Sequence, residues 1–201
     1  MTSILKVDTI QDTDGNNIIN ESGNTITIGA SGDTTNIIGT LQNDGAAVGG
    51  TNECRWFASV TNDQTISHNS VTKVAFANEV IDSDSAYDPS TNYRFTVPSG
   101  KGGTYKVEFG FWLADSASKL QKVEGYIYKN GVELFKLRSQ HNADGEYAGY
   151  VNLSSIAVLS ASDYLEVYVY IEEATSGSSE ISGSGNNAKF RNFFSGYKLL
   201  T

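Results

Sequence analysis

Proton transfer near neutral pH has two histidines to draw on, His68 and His141, and thiol chemistry has one cysteine, Cys54. Neither histidine stands in a motif that supplies a nucleophile. Both fall in loop-like stretches and read as surface residues. Ser195, in Phe193-Phe194-Ser195-Gly196, lacks the first glycine of a nucleophile elbow and belongs to a strand-like run. Glu172 and Glu173 are adjacent, so on a strand they face opposite sides and cannot act as paired carboxylates. There is no glycine-rich phosphate cradle and no dinucleotide fingerprint. A single cysteine excludes an internal disulfide and a cysteine-built zinc site, and a buried apolar position suits it best. The expectation is a protein that is not an enzyme; a glycan-active enzyme would need an acid pair that these residues do not display.

Binding chemistry is better supplied. Asp82, Asp84 and Asp88, in the run DSDSAYD, offer the oxygen ligands that hard cations such as calcium take. Aspartate and serine are equally ordinary turn formers. No cofactor is expected, with calcium held open at these three residues. Asp12 to Asn16 reads as a turn, because the distal bidentate glutamate of a calcium loop is absent. His141, Asn142, Asp144 and Tyr147 combine aromatic and polar groups suited to a sugar and are the candidate receptor-binding residues, although solvated loops commonly share that composition.

The elements that must position these groups divide sharply at residue 50. All 22 aromatic residues follow it, and none precedes it. A lead whose large apolar groups are only Ile, Leu and Val, broken every few residues by Gly, Asn and Asp, cannot bury enough surface to offset roughly 1–2 kcal/mol of backbone entropy per ordered residue. If ordered, it borrows apolar surface from neighbouring chains. Asp14-Gly15, Ser22-Gly23, Ser31-Gly32 and Asp44-Gly45 punctuate β-branched runs at Asn17–Ile19, Thr25–Ile28 and Thr35–Ile38. The pattern predicts an irregular β repeat, and a three-chain stalk would stack Ile19, Ile28 and Ile38 on a shared axis.

From Cys54 onward the strands are longer, alternating and aromatic-rich. Tyr105, Val107, Phe109, Phe111 and Leu113 share one face. Lys122 to Arg138 reads as a hairpin turning at Asn130-Gly131. Tyr164 to Ile171 sets Leu165, Val167, Val169 and Ile171 against Tyr164, Glu166, Tyr168 and Tyr170. An aliphatic face opposite a tyrosine face suits a sheet buried inside by its own subunit and outside by a neighbour, so Tyr164, Tyr168 and Tyr170 are candidate interface residues. Thr175–Asn187 reads as a Gly/Ser loop and Lys189–Leu200 as the last strand. No helical period runs for ten residues. Nine or ten such strands predict an all-β chain: a β-rich trimeric stalk over 1–50 and a jelly-roll sandwich head over 51–201.

The net charge of −9 repels nucleic acid and anionic membranes, so neither is an expected partner. No apolar run approaches the roughly 20 residues of a membrane span, and the N-terminus has no signal-peptide pattern.

The segment from Phe76 to Phe109 resembles the signature of the complement globular-head family, whose fold is shared with tumour necrosis factor. Phe76, Asp82, Tyr87, Phe95 and Gly103-Thr104-Tyr105-Lys106-Val107-Glu108-Phe109 carry it, with one extra residue before Phe95, two before Gly103, and Val107 where the family prefers Phe. The hairpin YIYKNGVEL and the ending Phe193–Leu200 are similar too. This resemblance implies a ten-stranded jelly roll that forms tight trimers. Ile4 to Asn20, ILKVDTIQDTDGNNIIN, resembles the N-terminal segment of structural proteins of tailed bacteriophages, cyanophages especially. Together the two imply a homotrimeric virion fibre, assembled in the host cytoplasm. Its N-terminus, with Ile4, Leu5, Val7 and Ile10 as candidates, would dock on other virion proteins, and its head would meet a host glycan or protein. The alternative is a capsid decoration, or cement, trimer without a receptor.

Overall fold

A computed structural model describes residues 9–11, 13–15, 17–22, 25–28, 32, 34–35, 38, 42–43, 46–47, 54–141, 143–183 and 191–199. Contacts divide the chain into two units, Met1–Gly50 and Thr51–Thr201. Among the described residues no helix is long and apolar enough to cross a membrane.

In the first unit, β1 (Thr9–Gln11), β2 (Asn17–Ser22) and β3 (Thr25–Ile28) form an antiparallel meander, and β4 (Gln42–Asn43) pairs with β5 (Ala46–Ala47). Gly15, at φ +83°, takes the turn between β1 and β2. The expected strand at Thr35–Ile38 is not formed at Thr35 or Ile38, which lie outside strands; its middle residues fall outside the described set.

The second unit is a sandwich of two antiparallel sheets. One carries β9 (Asn78–Asp82), β6 (Arg55–Ser59), β18 (Phe193–Lys198), β12 (Gly103–Ala114) and β15 (Ala148–Leu159), in that order. Its far end is extended by β17 (Ser178–Ile181), which pairs with the end of β12 and with β7 (Gln64–Ser67). The other carries β10 (Tyr87–Asp88), β11 (Arg94–Thr96), β16 (Tyr164–Glu173), β13 (Leu120–Lys129) and β14 (Val132–Gln140), with β8 (Thr72–Lys73) against β16. This is the expected jelly roll. Between Gln64 and Thr96 it is broken into five segments of two to five residues.

Alternation explains the core. The aromatic-rich face of β12 and the aliphatic face of β16 both point inward, and every residue named for those faces from sequence is fully buried. Each large side chain so buried contributes about 1.5–3 kcal/mol. The signature aromatics converge at one end. Trp56 stacks on Phe95 with ring centroids 3.7 Å apart, Phe95 meets Tyr105 at 5.7 Å, and Phe76 and Tyr87 both pack on Phe194. The Tyr87 hydroxyl donates to the Phe76 carbonyl at 3.0 Å. Asn130 and Gly131 both take positive φ, as a two-residue hairpin turn requires.

Two expectations are corrected here. The Gly/Ser stretch from Thr175 contains a strand, β17, whose Ile181 is fully buried against β12 and β7. A short polar run becomes a strand because partner strands satisfy its backbone groups, which outweighs its own weak preference. The last strand is shorter than expected and its ladder starts at Phe193.

Candidate functional site

The groups whose chemistry could serve catalysis have structural work. His68 accepts the Glu173 backbone N–H on Nδ1 at 2.9 Å and bridges to Ile171, anchoring the end of β16. Ser195 donates to Glu108 at 3.1 Å across the middle of a sheet. Glu172 and Glu173 do face opposite ways: Glu172 pairs with Lys122, while Glu173 is buried and accepts the Ser179 hydroxyl at 2.9 Å. Burial pushes the Glu173 carboxyl up; the Ser179 bond opposes that. Cys54 is buried beside the Tyr105 hydroxyl at 3.2 Å, and burial raises its thiol pKa.

The three aspartates of the acidic loop hold turns. Asp82 accepts the backbone N–H groups of Asp84 and Tyr87; Asp84 accepts those of Cys54 at 2.7 Å and the Ser83 hydroxyl at 2.6 Å. Asp88 accepts from the backbones of Thr91, Ser90 and Asn92, and those bonds hold its carboxyl well below the usual range. Among the described residues no group of three or more His, Cys, Asp or Glu side chains is placed to hold a metal ion. The loop borders a cleft of about 350 Å³ lined by Asp84, Tyr87, Asp88, Asn92, Arg94 and Pro98, among others.

The tyrosine face of β16 is covered by cations of its own chain. Arg94 lies 4.3 Å from the Tyr164 ring, Lys122 4.9 Å from Tyr170 and Lys73 5.6 Å from Tyr168, and Tyr128 packs on Tyr168 at 4.5 Å. Glu166 binds Lys73 at 2.6 Å beneath them. On the neighbouring strands Glu124 is buried yet charged. Burial pushes its carboxyl up, but the Tyr126 hydroxyl, Lys136 at 3.0 Å and Arg138 at 2.6 Å outweigh that and hold it at about 2. A carboxyl depressed on folding stabilises the protein above its unfolded pKa, and that contribution fades as pH falls toward 2. Glu124→Gln is therefore expected to cost about 1–2 kcal/mol at pH 7, because the half-exposed cations can return to water. It should also flatten the stability profile between pH 4.5 and 2; urea unfolding at stepped pH measures both.

The opposite sheet shows uncovered apolar surface. On its outward face Phe57 stacks on Phe193 at 5.6 Å, with Ile81 opposite Phe57 in the ladder. Across β12 the outward residues of β15 include Tyr150, Ile156 and Val158, exposed by 48, 61 and 74%. Gly110 leaves room for this packing; a Cβ there would lie 2.8 Å from Phe193 and 3.0 Å from the Tyr150 hydroxyl. The Ile156-Ala157-Val158-Leu159 run breaks the polar alternation of β15, which is the sequence signal for a strand apolar on both faces.

The candidate receptor loop joins β14 to β15. His141 donates its N–H to the Gln121 carbonyl at 2.7 Å and its ring is wedged toward Gly149. Tyr147 is 57% exposed and lies 6.5 Å from Trp112, which carries the Arg191 guanidinium over its ring at 5.2 Å. Asp144 is exposed, and Asn142 lies outside the described residues. The structure thus brings Tyr147 to Trp112 and Arg191, which the sequence does not link, and turns His141 toward the sandwich.

No protein-family profile and no curated protein matches this chain. Solved structures do. A crystal structure of murine APRIL is 14% identical with a TM-score of 0.51, covering 72% of this chain and 99% of its own. The Eiger TNF structure from S. frugiperda is 13% identical with a TM-score of 0.52, covering 73% and 92%. The globular domain of zebrafish complement 1qA is 11% identical with a TM-score of 0.50, covering 74% and 98%. The fold of the head is the jelly roll of TNF and C1q-like domains.

Proposed function

We propose that this chain is a non-enzymatic structural protein of a tailed bacteriophage particle, a homotrimeric fibre whose jelly-roll head faces the host. The observation that carries the trimer is the uncovered outward face of β6, β18, β12 and β15, on a fold of the TNF and C1q kind. The two sheets also end together at an open edge. There Leu137 of β14 is 41% exposed, and Phe135 and Leu153 are only partly covered. That sheet face, where Phe57, Phe193, Ile156 and Val158 flank the Lys106–Glu108 ion pair, and the apolar edge are two different surfaces. Edge-to-face contacts between copies are heterologous and build a ring where the rotation closes, and three copies is the closure this reading takes. The tyrosine face, closed by Arg94, Lys122 and Lys73, is left for solvent.

The phage assignment rests on the resemblance of Ile4–Asn20. Ile4, Leu5 and Val7 lie outside the described residues and remain the proposed particle-docking residues; Ile10 is placed in β1. Tyr147, with Trp112 and Arg191 beside it, is the proposed centre of glycan contact, and three copies in a trimer multiply a weak site through avidity.

Sedimentation or native mass spectrometry at micromolar concentration is expected to find three times the chain mass, and purified protein is expected to compete with particles for host cells. A stable monomer would remove the reading. A trimer that leaves adsorption unchanged but protects particles from heat or low salt would favour the decoration role.

A further inference from the structure

The register of the N-terminal sheet pairs Ile19 with Ile28 and sets Ile10, rather than Ile38, beside them. Ile10 stands directly opposite Ile19, and Ile19 directly opposite Ile28. Directly paired residues share a face, so the three isoleucines form one row across β1, β2 and β3, with neighbours about 4.8 Å apart. Ile26, two positions from Ile28, is on the same face. These side chains are 40, 37, 55 and 67% exposed for Ile10, Ile19, Ile28 and Ile26. Among the described residues, none of the buried core comes from the first unit. Ile38, assigned to this stack from spacing, is 95% exposed and lies outside the strands.

The size of the row argues for its occupant. Four half-exposed isoleucines present about 350 Å² of apolar surface, comparable with the largest patch on an ordinary monomer, which is often functional. That is less than half of the roughly 800 Å² per partner in a freestanding protein interface. A seam this small would not hold free chains together. It suffices for chains already tethered, whose effective concentration reaches about millimolar.

We propose that the Ile10–Ile19–Ile28 row is a second self-association surface, on which three copies of this chain close their β1–β3 sheets around one another once their heads have assembled. The inference rests on the trimeric head proposed above. It makes the lead advance by one strand spacing per nine residues, about 5 Å, rather than by the extended reach of the chain.

The test uses the full chain with Cys54→Ala and one new thiol, either Ile19→Cys in the row or Thr9→Cys on the opposite face of the same sheet. A short trifunctional maleimide is added at micromolar protein, and covalent trimer is followed on denaturing gels. The row predicts cross-linking through position 19 at least tenfold faster than through position 9. It also predicts that adding Ile10→Asn and Ile28→Asn to the Ile19→Cys chain slows linking about tenfold while sedimentation still reports a trimer. A sedimenting trimer with equal rates from both positions would overturn the row alone. A monomer would overturn the row and the head reading together.

Discussion

Ile156→Asp combined with Val158→Asp is expected to convert the trimer into a monomer at micromolar concentration while leaving the head folded. Both side chains are more than half exposed in the single chain, so their replacement removes almost no burial from the core. Exposed substitutions of this kind stay within about 1 kcal/mol of neutral. Position 156 also faces Lys106 across the ladder, which gives a new carboxylate a partner in the monomer. In the trimer the same two positions would be covered. Central apolar contacts are worth about 2 kcal/mol each when truncated, and burying an unpaired carboxylate adds to that. Association should weaken at least a thousandfold per contact. Sedimentation reads the assembly and far-UV circular dichroism reads the fold. The control is Tyr164→Ala with Tyr170→Ala, which is expected to leave the trimer intact. If that pair dissociates it and the aspartates do not, the subunit contact lies on the tyrosine face after all.

Trp56→Ala is expected to destabilise the head by about 3–5 kcal/mol, a fifth or more of the roughly 5–15 kcal/mol of an ordinary domain. Trp56 is buried, lies against Phe95 at 3.7 Å and meets the edge of Phe194 at 5.4 Å. Its ring also covers Gly196, where a Cβ would collide with it. Removing the indole leaves a cavity walled by aromatic rings that are fixed by their own strands, so the site cannot collapse to refill it. Urea unfolding followed by circular dichroism measures the loss. Wild type and variant must be compared at equal protein concentration, because association adds to apparent stability. A loss under 1 kcal/mol would show that the ring is not part of the packed core.

Much of the head is legible in the sequence. Period-two alternation in Tyr105–Leu113 and Leu165–Ile171 identified both inner faces, and Asn130-Gly131 identified the central hairpin, because those signals are local and the chain follows them. The signature aromatics Phe76, Tyr87, Phe95 and Tyr105 pointed to the fold through resemblance, and packing shows why they occur together: they are one cluster. Trp56 carried no such signal, although it sits in the middle of that cluster. In sequence β17 reads as loop because serine and glycine do not favour strands alone; only β7 and β12 on either side make Ser178–Ile181 a strand.

The candidate sites were less legible. The three aspartates suggested a cation, yet their oxygens accept backbone N–H groups in turns, a use no spacing rule distinguishes from ligation. The tyrosine face carries cations from strands distant in sequence, Lys73 and Arg94 among them, which no local pattern signals.

By itself, the order of residues determined the all-β class, the inner faces of the sandwich, the turn at Asn130-Gly131 and the poverty of the lead, because strand periodicity, turn chemistry and composition act over a few residues at a time. Only the tertiary structure decided which outward face stays apolar and which isoleucines stand side by side. Those depend on register and on which strands become neighbours, and the long-range pairings that set both are written in no single stretch of the chain.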